Sequence, residues 1–216
     1  MPRVSEQYLA SRRAEILSAA ARLFSANGFH ATSMADVINE SGLSAGAVYR
    51  YFRGKDELIA AVAEEGLTAA DEAFTELLSE DAVPSPQQAL AALIRAINDR
   101  MTPHPLIGVD VTRIGVQVWA EALRSPELAG RANEVYRRLR GHFAEVARRR
   151  QAAGYLPADA VPEQVGAAML SLAQGFILQR LLVDDTDADG YLAGVTALLS
   201  PVSPPLTSAP APNSRP

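Results

Sequence analysis

Apolar residues recur every three or four positions along almost all of the 216-residue chain, and no segment shows the alternation of a β-strand. Glycines and prolines interrupt this pattern at intervals and indicate where helices end. The spacing therefore predicts an all-α fold of about nine helices. The predicted helices cover residues 8–27, 34–41, 45–52, 56–78, 87–101, 106–123, 126–153, 162–183 and 191–199.

Two short helices joined by a tight turn are predicted between Thr32 and Lys55. Ser33 and Ser44 stand where each helix begins, and a serine hydroxyl can accept a hydrogen bond from a free backbone N–H there. Gly42 follows the first helix and can adopt the left-handed conformation that ends it. This arrangement is typical of a helix-turn-helix, whose second helix lies in the major groove of DNA.

The second of these helices has two distinct faces. Val48 and Phe52 are the predicted buried positions, which leaves Tyr49, Arg50 and Tyr51 to face outward. Phenol hydroxyls can bind phosphate oxygens, tyrosine rings can pack on sugars or thymine methyl groups, and arginine can read guanine or hold phosphate. The alternatives are a tyrosine packed on a neighbouring helix and an arginine that is simply solvated.

The N-terminal quarter of the chain resembles the tetracycline-repressor (TetR) family of bacterial transcriptional regulators. The residues that carry this resemblance are Ile16 to Phe24, Asn27-Gly28-Phe29, Thr32-Ser33, Val37-Ile38, Ser41-Gly42-Leu43-Ser44, Gly46, Val48-Tyr49, Tyr51-Phe52 and Lys55-Asp56-Glu57-Leu58. The resemblance implies a homodimer that binds a palindromic DNA operator. It also implies that a small ligand, bound in the C-terminal domain, releases the operator.

The predicted DNA contacts lie on and beside the second helix. Lys55 is the only lysine in the chain and falls where family members carry a phosphate-contacting lysine. The start of the helix lacks side-chain donors, so base readout must depend on Arg50, the tyrosines, methyl contacts and DNA shape. The predicted DNA-binding residues are Ser33, Ser44, Ala45, Gly46, Ala47, Tyr49, Arg50, Tyr51 and Lys55.

The helix over residues 162–183 is apolar on two faces and must therefore be covered on two sides. One side can be the core of the protein, and the other can be a second subunit. Together with the last helix it predicts a four-helix dimer interface. The predicted interface residues are Val165, Met169, Leu172, Phe176, Leu192, Val195 and Leu199.

A ligand pocket is expected among the inward faces of the C-terminal helices, where the family builds one. The candidate lining residues are Met101, Gln117, Val118, Trp119, Phe143, Gln174 and Phe176, and plain core packing is the alternative for each apolar residue among them. Because few charged residues fall on these faces, the expected effector is small and mainly apolar or aromatic.

Composition narrows the classes of protein further. The net charge is −5, but residues 1–60 carry 7 basic and 6 acidic side chains against 13 and 19 in the remainder, so the relatively basic end is the one that would meet DNA. The chain has no cysteine, which excludes disulfides, and its histidines lack metal-ligand spacing. No enzyme site, cofactor or metal is expected, and a cytoplasmic protein with no membrane span is the default.

These patterns predict a DNA-binding transcriptional regulator, most simply a ligand-released repressor. The expected organisation is a helix-turn-helix DNA-binding domain over 1–55, an effector-binding and dimerisation domain over 56–200, and a disordered Pro-rich tail over 201–216. The alternative is a helical small-molecule-sensing or interaction protein without specific DNA binding. The start of the second helix, at Ala45 and Ala47, has no side-chain donors for DNA, and this motivates the alternative.

Overall fold

The computed structural model describes residues 6–79, 81–101 and 108–200, apart from the side chains of Gly66, Arg100 and Met101. This part of the chain is all-α, as predicted, and the expected tail over 201–216 lies outside it. The helices are α1 (Glu6–Asn27), α2 (Met34–Ser41), α3 (Ala45–Tyr51), α4 (Lys55–Leu77), α5 (Pro86–Met101), α6 (Val111–Ala122), α7 (Pro126–Ala152), α8 (Pro162–Leu182) and α9 (Ala188–Leu199).

Local capping explains most helix ends. Gly42 has φ 67° and ends α2 in the left-handed conformation, as its position in the sequence predicts. The carboxylate of Asp187 accepts from the N–H of Gly190 at 2.8 Å and begins α9. In contrast, α6 begins later than residue 106, because the carboxylate of Asp110 caps it by accepting from the N–H of Thr112 at 3.0 Å.

The first hydrophobic core joins α1, α2, α3 and the start of α4. Val48 and Phe52 are buried in it, which confirms the inner face predicted for the helix-turn-helix. Three buried residues from later in the chain complete this core, namely Val111 and Ile114 of α6 and Leu128 of α7. The helix-turn-helix end is therefore packed directly on the rest of the described chain.

The second core lies between the end of α4 and helices α5, α7, α8 and α9. Phe74, Phe143 and Phe176 are fully buried in it, and the ring of Phe74 meets that of Phe143 edge-on with centroids 5.0 Å apart. Helices α7 and α8 come especially close at Gly166. A Cβ atom at that position would lie 2.6 Å from the carbonyl oxygen of Arg140, so only glycine allows this approach.

One described helix, α8, is long and apolar enough to span a membrane by length and composition. Its inner face is part of the second core, which buries Met169 and Phe176, and Val195 of α9 is buried there too. The prediction that these three residues form a dimer interface is therefore wrong, because their side chains have no surface to offer a partner. Val165, Leu172 and Leu192 are half-buried, and Leu199 is exposed.

Candidate functional site

Helices α2 and α3 present a continuous polar surface at one end of the molecule. Its exposed residues are Ser33, Ser44, Ala45, Gly46, Tyr49 and Arg50, and Ala47 is half-buried beside them. All seven belong to the predicted DNA-binding set, and the fold brings them to the two helix starts and one face of α3.

The two serines hold the starts of these helices. The hydroxyl of Ser33 accepts from the N–H of Asp36 at 3.2 Å, while the Asp36 carboxylate accepts from the N–H of Ser33 at 2.8 Å. The Ser33 hydroxyl also donates to the Asp36 carboxylate at 2.7 Å, and this hydrogen bond, followed by the one from the Ser33 N–H, lowers the pKa of the Asp36 carboxyl group. The hydroxyl of Ser44 accepts from the N–H of Ala47 at 3.3 Å. Both helix starts are thereby fixed before any ligand arrives.

The two tyrosines of α3 differ in their surroundings. Tyr49 is 49% exposed and faces solvent, whereas Tyr51 is half-buried and packs against the first core. Only one tyrosine of the pair therefore faces outward in the way that the sequence predicted. The packed alternative describes Tyr51, and Tyr49 and Arg50 are the large side chains that α3 leaves open to solvent.

Lys55 has a structural role that the sequence did not reveal. Its ammonium group is half-buried and donates to the carbonyl oxygens of Phe29 at 2.6 Å and Thr32 at 3.3 Å. A compact ammonium can converge on two carbonyls in this way, which accounts for a lysine in a chain that otherwise uses arginine. It thus ties the start of α4 to the link between α1 and α2, and one N–H remains for a phosphate.

A cavity of about 340 Å³ lies among α4, α5, α6, α7 and α8. Three predicted ligand-binding residues, Val118, Trp119 and Gln174, line it together. Tyr136 of α7 also lines it, with its ring centroid 6.4 Å from that of Trp119. The sequence prediction missed Tyr136, although its place three residues before Leu139 on the inner stripe of α7 was a usable signal.

Three of the other predicted pocket residues do not line this cavity, namely Gln117, Phe143 and Phe176. Phe143 and Phe176 are fully buried in the second core, so their assignment to the ligand pocket is wrong. The amide oxygen of Gln117 is buried against the backbone at Gly28, at the end of α1, and has no hydrogen-bond partner there. The side chain of Met101 lies outside the described residues.

Burial and hydrogen bonding set the polarity of the cavity. The wall is mainly apolar, with residues such as Ile97, Ile114 and Leu170. Tyr136 hydrogen-bonds with Gln174, and burial raises the pKa of the Tyr136 phenol to about 12. The phenol is therefore neutral at physiological pH and can donate a hydrogen bond.

Helix α6 links the cavity with the helix-turn-helix end. Its residues Val111 and Ile114 line the cavity and also belong to the first core. Near its other end, Glu121 approaches His30 of the α1–α2 link at 2.7 Å. The helix that lines the cavity therefore also packs on α1, which connects the cavity with the helix-turn-helix end.

Metal-binding side chains are not grouped in the part of the chain that the structure describes: it contains no cluster of three histidine, aspartate or glutamate residues that could hold an ion.

Both halves of the chain match known families. Residues 16–62 match the family described as bacterial regulatory proteins, tetR family. Residues 86–201, more than half of the chain, match the C-terminal domain of BetI-type transcriptional repressors. The two matches cover the helix-turn-helix and the helices that carry the cavity, respectively.

Individual relatives agree with these matches. YfiR of Bacillus subtilis, an HTH-type transcriptional regulator, is 44% identical over 66 residues, which span 31% of this chain and 32% of that protein. GusR of Salmonella enterica has the same fold, with a TM-score of 0.71 at 22% identity over 91% of this chain and 96% of its own.

A Saccharomonospora viridis protein solved in complex with choline also has this fold, with a TM-score of 0.66 at 22% identity over 88% of this chain and 95% of its own. Because these two solved structures are only 22% identical to the chain, they establish its fold alone. The family matches establish which family the chain belongs to. The chain therefore belongs to the TetR family of helix-turn-helix transcriptional regulators.

Proposed function

We propose that this protein is a homodimeric repressor that binds a palindromic operator through α3 and leaves it when a small, mainly apolar effector fills the cavity. The observation that carries the proposal is the double role of α6, whose residues Val111 and Ile114 line the cavity and complete the first core. An effector that moves α6 must also move α1 and the helix-turn-helix packed on it. By linkage, operator DNA weakens effector binding by the same factor.

The proposed DNA surface is the exposed part of α2 and α3. Tyr49 and Arg50 would supply the side-chain contacts, and the capped helix starts at Ser33 and Ser44 would face phosphates. Ala45, Gly46 and Ala47 add no side-chain donors, so backbone approach and methyl contacts would serve there. Tyr51 and Lys55 would contribute mainly by holding α3 and its surroundings in place.

We divide the chain into a DNA-binding unit over residues 1–55 and an effector and dimerisation unit over 56–200. This division follows the order of the chain and does not separate two independent cores, because α6 supplies buried residues to the first core. The two units would therefore move as coupled bodies rather than as independent ones. We propose that a protein with this organisation binds DNA in the cytoplasm.

A dimer would form through the outward side of α8 and α9, which we call the α8–α9 face and define by Ala168, Ser171, Leu182, Gly194 and Leu198. All five are exposed, and the two leucines are 77% and 81% exposed. Large exposed leucines beside small residues suit close packing of two helix pairs. This face replaces the buried residues of the sequence prediction, and a second subunit would cover it.

Leu198→Asp should convert the dimer to a monomer at micromolar concentration, because a two-fold axis brings two buried carboxylates close together. Sedimentation velocity measures the change. Leu123→Asp is the matched control: Leu123 is 90% exposed but lies at the end of α6, and this variant should stay dimeric. A wild-type dimer that persists in Leu198→Asp would show that the α8–α9 face is not the interface.

DNA selection tests the function itself. The full chain, incubated with random double-stranded DNA, should enrich an inverted repeat whose half-sites lie about one helical turn, ~34–36 Å, apart. Affinity for the enriched site should fall steeply with salt because α3 and its flanks would displace counterions from phosphates. Failure to enrich any sequence would favour the alternative of a sensing protein without specific DNA binding.

A further inference from the structure

Three of the four charged residues that line the cavity in the described part of the chain form ion pairs. Glu64 and Arg138, which both line it, form an ion pair at 2.9 Å, and Arg131 pairs with Glu127 at 3.2 Å. These side chains are largely exposed, and so is the remaining charged lining residue, Glu134. They therefore lie toward the mouth of the cavity, where solvent screens them, and not on its inner wall.

Few polar side chains line the deeper part of the cavity, and one of them, Thr112, already has hydrogen-bond partners. The hydroxyl of Thr112 donates to the carboxylate of Asp110 and accepts from the guanidinium of Arg180, which itself pairs with Asp110 at 2.9 Å. This cluster fastens α6 to α8, although the Nε of Arg180, a residue that does not line the cavity, is buried without a hydrogen-bond partner among the described residues. The other polar side-chain groups among the described lining residues of the inner wall are those of Tyr136 and Gln174 and the indole N–H of Trp119.

Tyr136 is set up as a hydrogen-bond donor. Its hydrogen bond with Gln174 favours the ionised phenol, as expected when the amide N–H donates to the phenol oxygen. Burial outweighs this effect and keeps the phenol protonated. A phenol has one O–H donor and an oxygen that accepts, so Tyr136 can accept from the amide of Gln174 and offer its proton to an acceptor atom in the cavity that it lines.

Resting on the proposed function, we propose that the effector is an uncharged, ring-containing apolar molecule with one hydrogen-bond acceptor, such as a ketone oxygen, which takes the O–H of Tyr136 while the ring packs against Trp119. An ion on the inner wall would lose its hydration without gaining an unpaired partner there, which is strongly unfavourable. The cavity volume of about 340 Å³ suits a compact molecule of one or two fused rings.

Matched probes test this proposal by calorimetry on the full chain. The probes are 2-decalone, 2-methylenedecalin with a CH₂ group in place of the oxygen, decahydronaphthalene-2-carboxylate and the corresponding 2-trimethylammonium compound. The ketone should bind at least about tenfold more tightly than each of the others. Tightest binding by the carboxylate or the ammonium compound, or no ketone binding at ~1 mM, would overturn the proposal.

Tyr136→Phe isolates the hydrogen bond. This variant should bind 2-decalone about tenfold more weakly and bind 2-methylenedecalin with unchanged affinity. Tyr191→Phe is the matched control, because Tyr191 is also half-buried but lies outside the cavity and donates to the carbonyl oxygen of Leu172 at 2.7 Å. It should retain the affinity for both probes. Equal losses for ketone and hydrocarbon in Tyr136→Phe would mean that Tyr136 provides shape alone, which contradicts the proposal.

These binding measurements contain no DNA and so separate two kinds of failure. If the selected operator binds but the ketone series does not follow the expected order, the inference about the effector is wrong and the proposed function stands. If the ketone binds as expected but no operator is selected, the cavity chemistry stands and the repressor function fails.

Discussion

Gly166→Ala should lower the free energy of unfolding by about 1–3 kcal/mol, a large effect for the addition of one methyl group. The added Cβ would lie 2.6 Å from the carbonyl oxygen of Arg140 and 3.0 Å from the amide nitrogen of Ala144. Both are backbone atoms of α7, which cannot rotate away as a side chain could. Helices α7 and α8 would have to separate, and the core contacts that they share would weaken. Chemical denaturation measures the loss.

Gly141→Ala is the matched control for this substitution. Gly141 lies within α7, next to the residues that Gly166 approaches, but it is exposed, and a Cβ there would meet no atom within 4 Å. Alanine is the better helix former, so this variant should gain about 0.5–1 kcal/mol. Opposite signs for the two glycines are the expected result. A loss of similar size in both would mean that general helix effects, and not the α7–α8 approach, explain Gly166.

Tyr49→Ala should weaken operator binding by about tenfold per half-site, and thus about a hundredfold for the dimer. The substitution removes a phenol that can bind phosphate and a ring that can pack on sugars. Because Tyr49 is 49% exposed, its loss should change the free energy of unfolding by less than ~0.5 kcal/mol. Fluorescence anisotropy with the selected operator measures the affinity, and thermal denaturation verifies the fold.

Tyr155→Ala removes a tyrosine that is also exposed but follows α7, where the guanidinium of Arg150 lies 4.8 Å from the ring centroid. Operator affinity should be unchanged in this control. Lys55 would be a poorer site for the same test, because its ammonium holds the carbonyls of Phe29 and Thr32 and its loss would disturb the fold. Wild-type operator affinity in Tyr49→Ala would place the DNA surface elsewhere.

The sequence was sufficient for features that depend on neighbouring residues. Ser33, Gly42 and Ser44 act at the helix ends where their chemistry predicts them, since a cap depends only on the next few residues. The burial of Val48 and Phe52 follows from the 3.6-residue period of one short helix. These local rules predict the helix-turn-helix and nearly all helix bounds.

Features that depend on distant residues were beyond the sequence pattern. Helix α8 is apolar on two faces, so its periodicity could not show that Phe176 faces the core while Leu182 faces outward. The contact of Lys55 with Phe29 joins residues 26 positions apart. The cavity wall combines five helices, and which aromatic residues reach it depends on how those helices pack: Tyr136 lines it, while Phe143 does not.

The contribution of α6 to the first core also determines which segments can be exchanged between relatives. A graft of residues 1–55 alone onto another regulator would place its apolar faces against a foreign α6, without Val111, Ile114 and Leu128 to fill them. Chimeras that recombine DNA specificity with a new sensor should therefore carry these three positions along with the helix-turn-helix. Only when these buried residues are transferred with the graft can operator choice be separated from ligand choice.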